Sequence, residues 1–157
     1  MILPLILASF LVSSELIVPV QSQCLEYSNH QFGNSCYVFV NQKMTFWDAE
    51  EYCKNYKVWS NLATIENIID NNFVARTAIT ELSMNYGDFW IGVYRPTVYD
   101  CFRPMVGRVC AIFENFVGDN PSLDFAAESV SNGKWNTHAK EEKLPFVCSY
   151  LHPVTSS

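Results

Sequence analysis

The sequence predicts an α+β domain held together by disulfides. Helical patterning lies in the first half of the chain, short strand-like runs lie in the second, and six cysteines are spread along both. Helices that precede strands, rather than alternate with them, argue against βαβ units.

Met1 opens an apolar run, Ile2 to Val12, that is too short to cross a bilayer and gives way to polar residues from Ser13 to Glu15. It reads as a secretory signal peptide with cleavage after Ser22. Residues 1–22 are therefore set apart, residues 23–150 are expected to form one domain, and residues 151–157 a short C-terminal tail. No second run of about 18 apolar residues follows, so no membrane span is expected and the mature chain is expected outside the cell. Cleavage leaves 135 residues with 10 basic and 15 acidic side chains, a net charge of −5. That size supports one core, and that sign argues against a nucleic-acid partner.

Cys24, Cys36, Cys53, Cys101, Cys110 and Cys148 all fall in the mature chain. An even count in a secreted domain implies three disulfides, and the lack of CxxC or Cys/His clusters argues against zinc. Parity alone leaves about 15 connectivities open.

Each element has a local reason. Tyr37-Val38-Phe39-Val40 follows the Gly33-Asn34 turn signal and reads as a strand of an N-terminal hairpin. Thr45, with Asp48 three residues on, caps a first helix carrying Trp47, Ala49, Glu50, Tyr52 and Cys53. A second helix is expected from Thr64 or Glu66 over about 15 residues, on the recurrence of Ile65, Ile68, Ile69, Phe73, Val74 and Ile79. It should end before Asn85-Tyr86-Gly87-Asp88. Strands are expected at Phe89 to Tyr94, Ala111-Ile112-Phe113 and Pro145 to Tyr150.

Catalytic signatures are missing: there is no Gly-x-Ser-x-Gly elbow, His-Glu-x-x-His, P-loop or Gly-x-Gly-x-x-Gly turn, and the three histidines are scattered. Cysteines committed to bridges leave no thiolate nucleophile. A non-enzymatic role is expected.

Thr45-Phe46-Trp47-Asp48-Ala49-Glu50-Glu51-Tyr52-Cys53, then Asn61-Leu62-Ala63-Thr64-Ile65, Trp90-Ile91-Gly92, Trp135-Asn136 and Phe146-Val147-Cys148 occur in an order that resembles the C-type lectin-like domain family. The resemblance covers about Cys24 to Tyr150. It implies two helices flanking small antiparallel sheets, a long irregular loop region, and bridges Cys53–Cys148 and Cys24–Cys36, which leaves Cys101–Cys110. The family's second conserved bridge would fall at Val130 and Lys140, and is absent. In the chain-entropy model the Cys101–Cys110 loop is worth about 2.5 to 3 kcal/mol and the Cys53–Cys148 loop roughly 4.5 to 5 kcal/mol.

The resemblance also implies a sugar and calcium site at Asn120, Pro121, Ser122, Glu128, Asn136 and Thr137. Where the family has three carboxylates, this set retains one, Glu128. Neutral oxygens do not offset the dehydration of Ca²⁺, so binding in the millimolar range or none is expected, with any residual ion on Glu128, Asn120 and Asn136. No other cofactor is expected. Asp119 and Asp124 flank the loop outside the family's ligand positions, Trp135 reads as a core anchor, and the Asn120-Pro121 bond is cis in the family. The segment Tyr94 to Cys110 departs from the pattern and holds Arg95, Tyr99, Phe102, Arg103 and Arg108, a composition enriched at protein interfaces. The expected partner is thus a glycan or glycoprotein, with a protein partner on this loop as the alternative. The family's habits place such recognition in innate immunity.

Overall fold

The computed structural model describes residues 24, 26, 28–118 and 121–152. Residues 1–22, expected as a signal segment, residues 153–157 of the expected tail, and Asp119 and Asn120 with the Asn120-Pro121 bond lie outside the described residues.

Gly33, in the left-handed conformation at φ 56°, turns β1 (His30–Phe32) into β2 (Ser35–Met44). Thr45 caps α1 (Phe46–Tyr56): its hydroxyl accepts from the Asp48 N–H and donates to the Asp48 carboxylate. Beyond β3 (Asn61–Leu62), α2 spans Ile68–Glu81 and starts later than expected. Asn67 is its cap, with the side-chain oxygen accepting from the N–H groups of Ile69 and Asp70. There follow β4 (Asp88–Tyr94), β5 (Arg103–Pro104), β6 (Phe125–Ser129), β7 (Trp135–His138) and β8 (Leu144–Leu151).

These strands join in one sheet of order β1-β2-β8-β4-β6-β7, with β3 added to β8 and β5 to β4; the parallel contact is β4 with β8. Helix α1 covers one face and α2 the other. Phe46, Ala49 and Cys53 pack with Trp90, Ala127, Phe146 and Cys148 on the first face. Val74 and Ala78 pack with Phe89, Ile91, Val93, Trp135 and Val147 on the second. Strand β4 reads as an unbroken apolar run because both of its faces are buried.

Of the residues that set the period of α2, Ile65, just before the helix, and Val74 are buried, but the helix's own isoleucines are not. Ile68, Ile69 and Ile79 are exposed, and the inward face is Asn71, Val74, Ala75 and Ala78. The two alanines let the helix lie close to the sheet, and Asn71 spans the remaining gap: its Oδ1 accepts from Trp135 Nε1 at 2.8 Å, and its Nδ2 donates to the Gly133 carbonyl at 2.8 Å. Trp135 is accordingly a core residue.

Ala111-Ile112-Phe113 is not a strand, because no neighbouring strand takes up the run's backbone groups. The Ala111 N–H goes to the Phe102 carbonyl, Ile112 faces solvent, and Phe113 meets Trp135 edge to face at 5.5 Å. The structure contains the bridges Cys24–Cys36, Cys53–Cys148 and Cys101–Cys110. Val130 and Lys140 are not the places a further bridge would take. The β6–β7 register, from Phe125 opposite His138 to Glu128 opposite Trp135, puts Val130 at the hairpin's turn and Lys140 past its far end, roughly 20 Å away along the strand.

Candidate functional site

Sequence reasoning assembles Pro121, Ser122, Glu128, Asn136 and Thr137 around one point; the fold joins Thr137 to the loop that carries Pro121 and Ser122 but sets Glu128 apart in the core. Asn120 lies outside the described residues. Pro121 is half-buried and Ser122 exposed in the loop before β6. Glu128 pairs across the sheet with Trp135 on one side and Phe89 on the other, and is 0% exposed with no hydrogen-bond partner on either carboxylate oxygen. Burial pushes its carboxyl well above the usual range. Glu128 is thus a core carboxyl rather than a loop ligand. The side-chain period of two explains the error: counting eight residues on from Asn120 lands on an inward position of β6.

Asn136 faces the opposite side of the sheet. Its Nδ2 donates to Asp88 Oδ2 at 2.9 Å, while the Thr137 hydroxyl accepts from the Leu123 N–H at 3.2 Å and ties the loop down. The carboxylate that stands in this loop is Asp124. It is engaged by Arg95, Nε to Oδ1 at 3.0 Å, and the same guanidinium reaches the carbonyls of Pro121 and Leu123 at 3.3 and 3.4 Å. Among the described residues no group of three or more His, Cys, Asp or Glu side chains is arranged to hold a metal ion.

The disulfide loop is also rearranged relative to expectation. Phe102 is buried against Phe116, with the Arg95 guanidinium 4.9 Å above its ring. Arg95 and Phe102 therefore hold the loop in place. Arg103 is half-buried and paired with Asp100 at 2.8 Å, whereas Tyr99, 97% exposed, and Arg108 do face solvent.

A cleft of about 430 Å³ opens between α1, the loop before β6 and the end of β7, lined among others by Trp47, Arg95, Leu123, Asp124, His138 and Lys140. Trp47 is 44% exposed, and its ring is fixed by edge contacts with Phe46, Tyr94 and Phe125. His138 sits between two acids, Nε2 at 2.8 Å from Asp88 Oδ2 and Nδ1 at 2.9 Å from Glu142 Oε2. The bond to Asp88 chiefly raises the imidazole's pKa, burial opposes this, and Glu142 adds to it. Burial alone would raise Asp88, but the hydrogen bonds from His138 and Asn136 outweigh it and leave that carboxyl lowered. His138, bonded on both ring nitrogens to carboxylates, orders the cleft floor.

Sequence reasoning missed Trp47, Asp88 and His138 as a group, treating the first as a helix residue and the last as a surface histidine. The available signal was alternation after Trp135: with that residue inward, Asn136 and His138 fall together on the other face.

These buried acids set a pH profile. Burial favours the protonated form of Glu128, so its contribution to stability is fullest below the unfolded value near about 4.3 and falls as pH rises toward the raised folded value. His138, also raised, adds stability that is full below about 6.5 and is lost as pH climbs through its folded value. Glu128→Gln is expected to flatten the decline in thermal midpoint as pH rises above about 4.3, and His138→Gln only the part above about 6.5. A Glu128→Gln profile parallel to the parent would mean that this carboxyl titrates as if solvated.

A disulfide-stapled mixed sheet flanked by two helices, with an open polar cleft at its edge, defines an α+β domain with one candidate binding site. The chain belongs to the C-type lectin domain family, whose Lectin C-type domain matches residues 42–150. It is 28% identical over 132 residues to a lectin of Pleurodeles waltl, covering 76% of this chain and 72% of that one. It is 27% identical over 135 residues to the alpha subunit of a snaclec GPIB-binding protein of Bothrops jararaca, covering 82% and 94%. Among solved structures, human lithostathine matches with a TM-score of 0.74 at 23% identity, over 89% of this chain and 99% of that one. CEL-I from Cucumaria echinata matches with a TM-score of 0.74 at 20% identity, over 83% and 99%. Those two likenesses show the fold. No helix among the described residues is long and apolar enough to cross a membrane.

Proposed function

We propose that this chain is a secreted recognition module that binds a carbohydrate or glycoconjugate without depending on calcium, in the cleft walled by Trp47, Arg95, Asp124 and His138. One observation carries the reading: the described carboxylates near the loop are committed elsewhere, Asp124 to Arg95 and Asp88 to His138 and Asn136, while Glu128 is in the core. A cation would have to break those pairs, whereas a neutral sugar need only meet an aromatic ring fixed by its neighbours and hydrogen-bonding groups already in place. The similar lectin of Pleurodeles waltl supports the ligand class, and the apolar leader at residues 2–12 supports secretion.

The test is glycan binding by the oxidised mature chain in EDTA and in about 10 mM CaCl₂. Equal binding is expected, with Trp47→Ala weakening it roughly tenfold. A millimolar calcium site would add about 1.4 kcal/mol and raise the thermal midpoint, and such a calcium-specific rise would overturn the reading.

A protein partner is the second reading, favoured by the exposure of Val98, Tyr99, Val109 and Ile112 around the Cys101–Cys110 loop. The similar snaclec subunit named as GPIB-binding supports it. Tyr99→Ala with Ile112→Asp would then abolish binding that Trp47→Ala leaves intact.

A further inference from the structure

Away from the cleft, a second concavity of about 350 Å³ lies where four segments meet: the turn after α1, the start of α2, the disulfide loop and the end of β8. It shares no lining residue with the Trp47 cleft. Trp59, Val106 and Leu151 supply apolar wall, and all three are exposed, Trp59 at 85%. Glu66 and Asp70 supply the only charge: no lysine, arginine or histidine lines the groove among the described residues. Glu66 takes part in no ion pair among the described residues, and Asp70 is met by the neutral Asn67 amide. Tyr37, also in the lining, feels that field: burial first, then the charges of Asp70 and Glu66, hold its hydroxyl well above the usual value.

Trp59 reaches the groove at a conformational cost. It is the third residue of the turn closed by the Ser60 N–H on the Lys57 carbonyl, and its φ is 65°. Turn chemistry assigns that position to glycine or asparagine, and a bulky side chain there is strained. A large aromatic ring exposed from a strained backbone, lining one groove with two acids that have no cationic partner among the described residues, is poorly explained by folding alone.

We propose that this groove docks a basic segment of a partner polypeptide, laying an arginine or lysine side chain between the Trp59 ring and the Glu66 and Asp70 carboxylates. The chemistry is complementary at each point. The methylene stem of a basic side chain lies along apolar wall, its cation meets the ring face, and carboxylates take up the charge. The protein's own negative balance, −6 over the whole chain, favours approach of such a partner.

The probe is a fluorescent peptide of alternating leucine and arginine, compared with its leucine–glutamate counterpart, titrated into the oxidised mature chain. Binding of the arginine peptide alone is expected, with a Kd below about 1 mM and loss on raising salt to roughly 0.5 M. Glu66→Lys and Trp59→Gly should each weaken it roughly tenfold. Trp59→Gly should also fold with an unchanged or higher thermal midpoint, since glycine adopts φ 65° freely; a ring that served packing would instead lower it. The proposal is overturned if neither peptide binds, if both bind equally, if a neutral oligosaccharide displaces the peptide, or if Trp59→Gly and Glu66→Lys leave binding unchanged. Removal of residues 153–157 is the last arm: binding gained only on that truncation would make the chain's own tail the occupant.

Discussion

Replacing Cys53 and Cys148 together with alanine is expected to cost about 4.5 to 5 kcal/mol, the largest loss from removing any one bridge. The bridge spans 95 residues of sequence and joins α1 to β8, the strand at the centre of the sheet order. Its loop confines most of the unfolded domain, whereas the Cys24–Cys36 and Cys101–Cys110 bridges close separations of 12 and 9 residues. Loss of the Cys101–Cys110 bridge should cost about 2.5 to 3 kcal/mol in the same model, so the two double variants separate clearly in urea unfolding. Equal midpoints would show that native packing, not chain entropy, sets the effect. Both cysteines of the long bridge are also fully buried against Phe46, Leu62 and Phe146, so removing the sulfurs adds a packing loss to the entropic one.

Gly92→Ala is the second large effect, with an expected loss of about 3 kcal/mol and a thermal midpoint lower by roughly 10 °C. A Cβ at this position would collide with the Leu62 carbonyl, standing 2.7 Å from its carbon and closer still to its oxygen, with the Ala63 oxygen at 3.1 Å. These are backbone atoms held by the sheet, since the Gly92 N–H donates to the Ala63 carbonyl at 2.8 Å and the Gly92 carbonyl accepts from Met105 at 2.8 Å. Neither partner can retreat without breaking those bonds. The φ at Gly92 is not in the left-handed region, so the residue is required for space and not for turn geometry. An alanine variant with the parent's midpoint would mean that β3 can move away from β4.

Gly92 also shows what kind of information each level carries. Asn61-Leu62-Ala63 and Trp90-Ile91-Gly92 are visible as separate motifs whose order resembles a known family, but that they are motifs of one contact is a fact of three dimensions. The same division runs through the candidate site. The cap at Thr45, the hairpin turn at Gly33, the apolar runs of β4 and β8 and the core role of Trp135 follow from local chemistry and were readable in one dimension. Glu128, Phe102 and Arg95 were not. Each has the composition of a binding residue, and each is turned inward or sideways by its neighbours.

The helix α2 illustrates the limit most plainly. Its isoleucines supply the strongest periodic signal in that stretch, yet the face that packs is built from two alanines, a valine and Asn71. Close approach to the sheet selects small residues, and a residue-by-residue hydrophobic count misses them. Exposed Ile68 and Ile69 are the price.

By itself the sequence determined the α+β class, the family and the even set of cysteines, because these depend on residue identity and order alone. Only the tertiary structure decided which carboxylates remain near the loop and what they bind. Face is set by strand register, where a shift of one residue reverses every side chain, and partners such as Arg95 and Asp124 or Asp88 and His138 are 29 and 50 residues apart in the chain.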